Sequence, residues 1–285
     1  MEVIRAKVLG YCMGVRRAVD AAKQALLQNQ GTGRKVYTLG PLIHNPLVLD
    51  KLAAEGLSVL SEGEVDNIDS RSVVLIRAHG TSPAVMERLR LAGSEVIDAT
   101  CPRVHLSQQR AREWSAKGYE VIIAGDKNHG EVLSISGFAA SPVVVVQDAE
   151  EARRLELPEK SILIAQTTFS PAVFAEISTI LLKKNPSLVV YNSICSATME
   201  RQKALLALQG RVDGILVVGG KNSANTRRLY ETAARLCGRV ALIEDESQLP
   251  VEFCDGKAVK VVGITAGAST PEEVIAAVEK KLIKL

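Results

Sequence analysis

The chain has 285 residues, 47% of them hydrophobic, with a formal net charge of +3 from 35 basic and 32 acidic side chains. Such a chain can bury a large core split into two or three units, whereas charge near balance, cations scattered over Arg110, Arg112 and Lys117, and 4% aromatics exclude a nucleic-acid groove and base-stacking platforms. No apolar run reaches the roughly 18 residues of a membrane span, and no basic-then-apolar leader follows Met1, so a cytoplasmic location is expected.

Val3 to Leu9 reads as a strand, and Val15, Ala18, Val19, Ala22, Ala25 and Leu26 recur at helical spacing after it. Further strands are predicted near Lys35 to Leu39, Ser72 to Ile76, Glu95 to Ile97, Glu120 to Ala124, Val143 to Val146 and Ser161 to Ala165. Others follow at Leu188 to Tyr191, Gly214 to Val218, Val240 to Ile243 and Val259 to Gly263. Helices are predicted to start at Asn45-Pro46, Ser82-Pro83, Ser170-Pro171 and Thr270-Pro271, where a capping side chain precedes a proline, and to end at Gly56, Gly93, Gly118 and Gly238. The segment Ser61 to Ser72 reads as a surface loop. Strands such as VVLI, VIIA and ILVV are apolar on both faces, which calls for parallel sheets covered by helices on each side.

Five cysteines, an odd number with no close pairing, argue against a disulfide framework and for reduced thiols or metal ligation. Three of them, Cys12, Cys101 and Cys195, follow a short apolar run, precede a helical stretch and divide the chain into thirds. A thiol at a helix N-terminus loses its proton more readily because the dipole favours the anion. If the thirds pack about a common axis, three thiolates meet, leaving a fourth position open: catalytic zinc with bound water, or an iron–sulfur cubane with one exchangeable iron site. The all-sulfur set favours the cluster. Taken singly, each cysteine is equally consistent with a small buried hydrophobe, and that is the reading for Cys237 and Cys254.

Three of the four histidines, His44, His79 and His129, lie in polar clusters at strand ends, and Thr167, Thr168, Ser223, Asn225 and Ser269 lie at equivalent places. Such donors suit an anion, and Gly80, Gly220 and Gly267 would admit close backbone approach. Each cluster alone is also an ordinary helix cap. His105 reads as packing or surface. Glu131 is the carboxylate in these clusters suited to proton donation, with a helix-dipole role as the plain alternative.

The motifs YCMGV, LGPLIHN, RAHG, DATCP, NHGEV, QTT, NSICSAT, GGKNSxN and GITAGAS run in order from Tyr11 to Ser269. As a set they resemble the 4-hydroxy-3-methylbut-2-enyl diphosphate reductases, the last enzymes of the non-mevalonate isoprenoid route. The resemblance implies three similar α/β domains with mainly parallel sheets in a pseudo-threefold trefoil: residues 13–98, residues 99–193, and residues 194–285 with 1–12. It implies one 4Fe-4S cluster on Cys12, Cys101 and Cys195, diphosphate binding by His44, His79, His129, Ser223, Asn225 and Ser269, proton supply by Glu131, and substrate positioning by Thr167 or Thr168. The product would be isopentenyl and dimethylallyl diphosphate, formed by two-electron removal of the allylic hydroxyl. Without a GxGxxG fingerprint, electrons are expected from an external carrier such as ferredoxin or flavodoxin. Alternatives compatible with three thiolates are an aconitase-type hydro-lyase and a metal-sensing binding protein.

Two departures from the family pattern stand out. Ala224 replaces one of a usual pair of serines, removing a hydroxyl, and Gly130 stands where proline is usual after the third histidine. Some relatives carry a fused RNA-binding region, which is not expected beyond Leu285.

Overall fold

Twelve strands and ten α-helices are distributed over three four-stranded, wholly parallel sheets in the described residues of the computed structural model, which are 1–254 and 259–284. Residues 255–258 and Leu285, which the third expected domain includes, lie outside them. The first sheet holds β2 (Lys35–Leu39), β3 (Leu57–Leu60), β4 (Ser72–Ile76) and β5 (Glu95–Asp98) in the order β3-β2-β4-β5. The second holds β6 (Glu120–Ala124), β7 (Val144–Val146), β8 (Ser161–Ala165) and β9 (Val189–Tyr191) in the order β7-β6-β8-β9. In the third, β1 (Glu2–Arg5), β10 (Gly214–Val218), β11 (Val240–Ile243) and β12 (Val261–Ala266) run β1-β12-β10-β11. Read from the strand that starts each sheet's main run, the three orders are one topology repeated.

The register repeats as well. The two central strands end opposite one another at Leu39 and Ile76, at Ala124 and Ala165, and at Val218 and Ala266. All five residues of β4, β8 and β10 are buried, as runs apolar on both faces require when helices cover both sides.

Two compact units divide the chain: Met1–Arg16 with Ile43–Asp50 and Ser196–Leu285, and Arg17–Leu42 with Lys51–Cys195. The former holds the third sheet, with Leu216, Val218, Val262 and Ile264 packed on Phe253, Ile275 and Leu282, and Ile215 and Val217 on Leu205 and Leu229. The latter holds the other two sheets, cored by Val74, Ile76 and Leu89 and by Ile123, Ile135 and Ile164.

Several boundaries differ from the sequence reading. β1 stops at Arg5, because Val8 and Leu9 pack on the core from a loop rather than by pairing. β3 was not anticipated: its four residues alternate buried ends with an exposed middle, too short a run to stand out after Gly56. The expected loop from Ser61 carries a 3₁₀ turn, Glu62–Asn67, closed by a Ser61–Glu64 capping box. β12 runs on to Ala266, and the last helix (Glu272–Ile283) takes Pro271 rather than Thr270 as its cap. Thr270 instead donates its hydroxyl to the Val218 carbonyl at 2.9 Å. Gly56, Gly93 and Gly118 end helices with positive φ, whereas the helix Ala224–Leu236 ends on extended Cys237 before Gly238.

Candidate active site at the strand ends

The sequence-predicted histidines, threonines and serines fall in the loops beyond the carboxyl ends of central strands, Glu131 and Asn225 in the first turn of the helices that follow, and the three cysteines after edge strands; parallel α/β sheets present ligand-binding groups at these ends. The repeated register makes these positions comparable across sheets. The fifth residue past β2, β6 and β10 is His44, His129 and Ser223, respectively. The third residue past β4, β8 and β12 is His79, Thr168 and Ser269.

The cysteines form the third such set. Each lies between an edge strand (β5, β9 or β1) and the helix that follows, and each backbone N–H donates to the carbonyl two residues beyond the neighbouring central strand. Cys101 bonds Ala78 at 3.0 Å, Cys195 bonds Thr167 at 2.8 Å and Cys12 bonds Ala268 at 3.0 Å. Cys101 caps the helix Pro102–Ala116, and Cys12 and Cys195 directly precede the helices Met13–Asn29 and Ser196–Leu206. The Cys12 sulfur accepts the Val15 N–H at 3.4 Å. All three are half-buried and outside any disulfide. Unbridged soft thiols at helix N-termini, with part of their surface open, are the donor chemistry an iron–sulfur group takes.

Glu131 is 1% exposed, and its carboxylate grips Thr167 twice: Oε1 accepts the backbone N–H at 2.6 Å and Oε2 the hydroxyl at 2.8 Å. A buried carboxylate needs such donors to offset its lost hydration. Glu131 is held by the helix Gly130–Ser136, whose cap is His129, with Nδ1 accepting the Glu131 N–H at 3.2 Å. That bond makes Nδ1 the unprotonated nitrogen whenever the ring is neutral. The His79 ring packs edge-on against His129 with centroids 4.9 Å apart. Thr168 accepts from Gln166 Nε2 at 2.9 Å.

In the other unit, Ser269 donates to the His44 carbonyl at 3.2 Å, and Ser223 caps its helix by accepting the Thr226 N–H. Asn225 is 4% exposed, and its Nδ2 meets no acceptor among the described residues. A buried amide donor with no acceptor fits an anionic ligand. The glycines fill a different need from the one expected. A Cβ at Gly80 would strike Gln108 and Ser134, at Gly220 the His44 carbonyl, and at Gly267 the Thr226 hydroxyl, so all three admit protein atoms.

Three polar residues escaped the sequence reading. Gln166 braces a loop by accepting the Asp126 N–H at 2.8 Å, and buried Arg201 clamps the turn before Cys12 by donating to the Gly10 carbonyl at 2.6 Å. Arg77 stands first after β4. Gln166 and Arg77 were visible inside QTT and RAHG, but nothing in a strand-end motif says which way its leading side chain turns. His105 is on the surface, 3.4 Å from Asp98, while Cys237 and Cys254 are half-buried and donate to the carbonyls of Asp213 and Pro250.

Parallel sheets of this order with polar residues at their strand ends define an α/β protein of the kind that binds ligands there, and comparison gives the family. Residues 3–283 match the family model described as "LytB protein", and the chain belongs to that family. It is 46% identical over the full length of both chains to the 4-hydroxy-3-methylbut-2-enyl diphosphate reductase of Treponema denticola. The protein of that name from Thermoanaerobacter pseudethanolicus is 39% identical, over 99% of this chain and 96% of its own. A solved structure described as (E)-4-hydroxy-3-methyl-but-2-enyl diphosphate reductase, the terminal enzyme of the non-mevalonate pathway, matches with TM-score 0.71 at 37% identity, covering 100% of this chain and 99% of its own. The E-1-hydroxy-2-methyl-but-2-enyl-4-diphosphate reductase of Plasmodium falciparum matches with TM-score 0.90 at 27% identity, covering 100% and 87%. Membership implies an iron–sulfur cofactor. No described helix is long and apolar enough to cross a membrane.

Proposed function

We infer from family and site together that this chain is a 4-hydroxy-3-methylbut-2-enyl diphosphate reductase, an oxidoreductase of the non-mevalonate route. The reaction breaks the allylic C–O bond with two electrons and two protons: one proton leaves with the oxygen as water, the other ends on a carbon of the allyl group. Depending on which carbon takes it, the product is isopentenyl or dimethylallyl diphosphate. The observation that carries the reading is the threefold recurrence of one thiol position, each cysteine N–H fixed to the carbonyl two residues past a central strand.

In this reading the cofactor is a single 4Fe-4S cluster with Cys12, Cys101 and Cys195 as its ligands, in a trefoil of three domains, 13–98, 99–193 and 194–285 with 1–12. When bound, such a cluster supplies electrons one at a time and a Lewis-acidic iron. His44, His79, His129, Ser223, Asn225 and Ser269 bind the diphosphate, for which neutral donors, imidazolium and helix N-termini are suited, and Thr168 helps to position the substrate. Glu131 holds and delivers the proton that leaves with the hydroxyl oxygen. Thr167, bonded to both of its carboxylate oxygens, orients it and relays the proton from its own hydroxyl. Electrons come from a ferredoxin or flavodoxin in the cytoplasm.

The test is an anaerobic assay with the hydroxylated isoprenoid diphosphate and a chemical reductant. Turnover to the two isoprenyl diphosphates only with reductant present is expected. Conversion without reductant would identify a hydro-lyase instead.

A further inference from the structure

Arg77, Gln166 and Gly267 are the first residues past β4, β8 and β12, one structural position in three sheets. At the second of these, the Gln166 side chain packs against Gly125 and bonds the Asp126 N–H and the Thr168 hydroxyl, bracing its loop. At the first, Arg77 packs in the matching way against Gly40, the counterpart of Gly125, where a built Cβ would come within 2.9 Å of Nη1. The bracing bonds are missing: among the described residues the Arg77 side chain makes no hydrogen bond and no ion pair, while its backbone carbonyl accepts the Gly80 N–H at 2.9 Å. Its guanidinium continues instead to Gly130, where a Cβ would collide with Nη2 and lie 2.9 Å from Cζ. Gly130 adjoins His129, whose ring packs on His79.

A cation is thus half-buried in a slot that two glycines open, one of them the chain neighbour of His129. Burial lowers its pKa, and the charge of the Glu62 carboxylate opposes that fall. Five donors held in a planar fork without an acceptor suit a phosphate group, which guanidinium grips with two parallel bonds.

We propose that Arg77 is a diphosphate-binding residue of this site, admitted to it by the missing side chain of Gly130. The proposal rests on the reductase reading for the identity of the anion and on the slot for the residue. Inorganic diphosphate, as a competitive inhibitor of the reductase assay, is the probe. Arg77→Ala is expected to raise both its inhibition constant and the substrate KM roughly tenfold or more, the range for loss of a bond to a charged group. Arg77→Lys should fall between, keeping charge but losing the fork, and Gly130→Ala should reproduce the Arg77→Ala shift by displacing the guanidinium. All three should keep the cluster's visible absorption. Unchanged KM and inhibition constant in Arg77→Ala, with the wild type active, would overturn the proposal and leave the reductase reading standing. A wild type that fails to reduce the substrate would overturn both. If Arg77→Ala does not fold, Gly130→Ala decides in the same way.

Discussion

Glu131 and Thr167 are joined by two hydrogen bonds in a water-poor setting, one from the Thr167 backbone and one from its hydroxyl. The same residue, Thr167, accepts the Cys195 N–H through its carbonyl. The Glu131 carboxylate and the Cys195 backbone are therefore both tied to one strand-end residue.

Replacing Glu131 by Gln keeps the shape and one acceptor but removes the acidic carboxyl group. Turnover should fall by about 10²-fold or more, the usual scale for general acid–base groups, with the cluster's absorption retained. Anaerobic single-turnover kinetics check this, and near wild-type turnover would show that the proton comes from elsewhere.

Thr167→Val removes the hydroxyl donor while leaving the backbone bond to Oε1. A buried carboxylate oxygen then loses a partner, and folding stability should drop by about 1–3 kcal/mol. Denaturant unfolding of the apo protein beside wild type measures it, together with a lower kcat in the holoenzyme.

Gly220→Ala would drive a Cβ into the His44 carbonyl, a backbone atom that cannot swing aside. Overpacking of this kind costs about 1–3 kcal/mol. The melting temperature should fall, and the substrate KM should rise because His44 and its bond from Ser269 are displaced. A variant with unchanged melting temperature and KM would count against His44 as a binding residue.

Ala224 is buried at the first turn of the helix capped by Ser223. Restoring a hydroxyl by Ala224→Ser should lower the substrate KM by up to about fivefold, the effect of one net hydrogen bond of about 1 kcal/mol. A raised KM would mean that the pocket has closed around alanine.

Much of this was legible in the sequence, for identifiable reasons. SVVLI, EVIIA, SILIA and GILVV coincide with β4, β6, β8 and β10 because strands buried on both faces leave continuous apolar runs. Edge strands are half-exposed and short, which is why LSVL went unseen and why the first strand was drawn too long. The site's residue types were readable from their strand-end positions, but the partners were not. That Gln166 turns back to Asp126 while Arg77, at the corresponding place, runs on to Gly130 depends on what fills the space beside each. Glycines show the same gap: their lack of a side chain was evident, whereas the atoms it admits, such as the Thr226 hydroxyl at Gly267, belong to tertiary structure.

The central claim is that Cys12, Cys101 and Cys195 together hold one iron–sulfur cluster, and metal analysis of anaerobically purified protein tests it most directly. Iron and acid-labile sulfide at roughly four each per chain are predicted for the wild type, with loss of cluster in each of Cys12→Ser, Cys101→Ser and Cys195→Ser but not in Cys237→Ser or Cys254→Ser. Zinc without sulfide, or a full complement of iron and sulfide in any of the first three variants, would contradict the account.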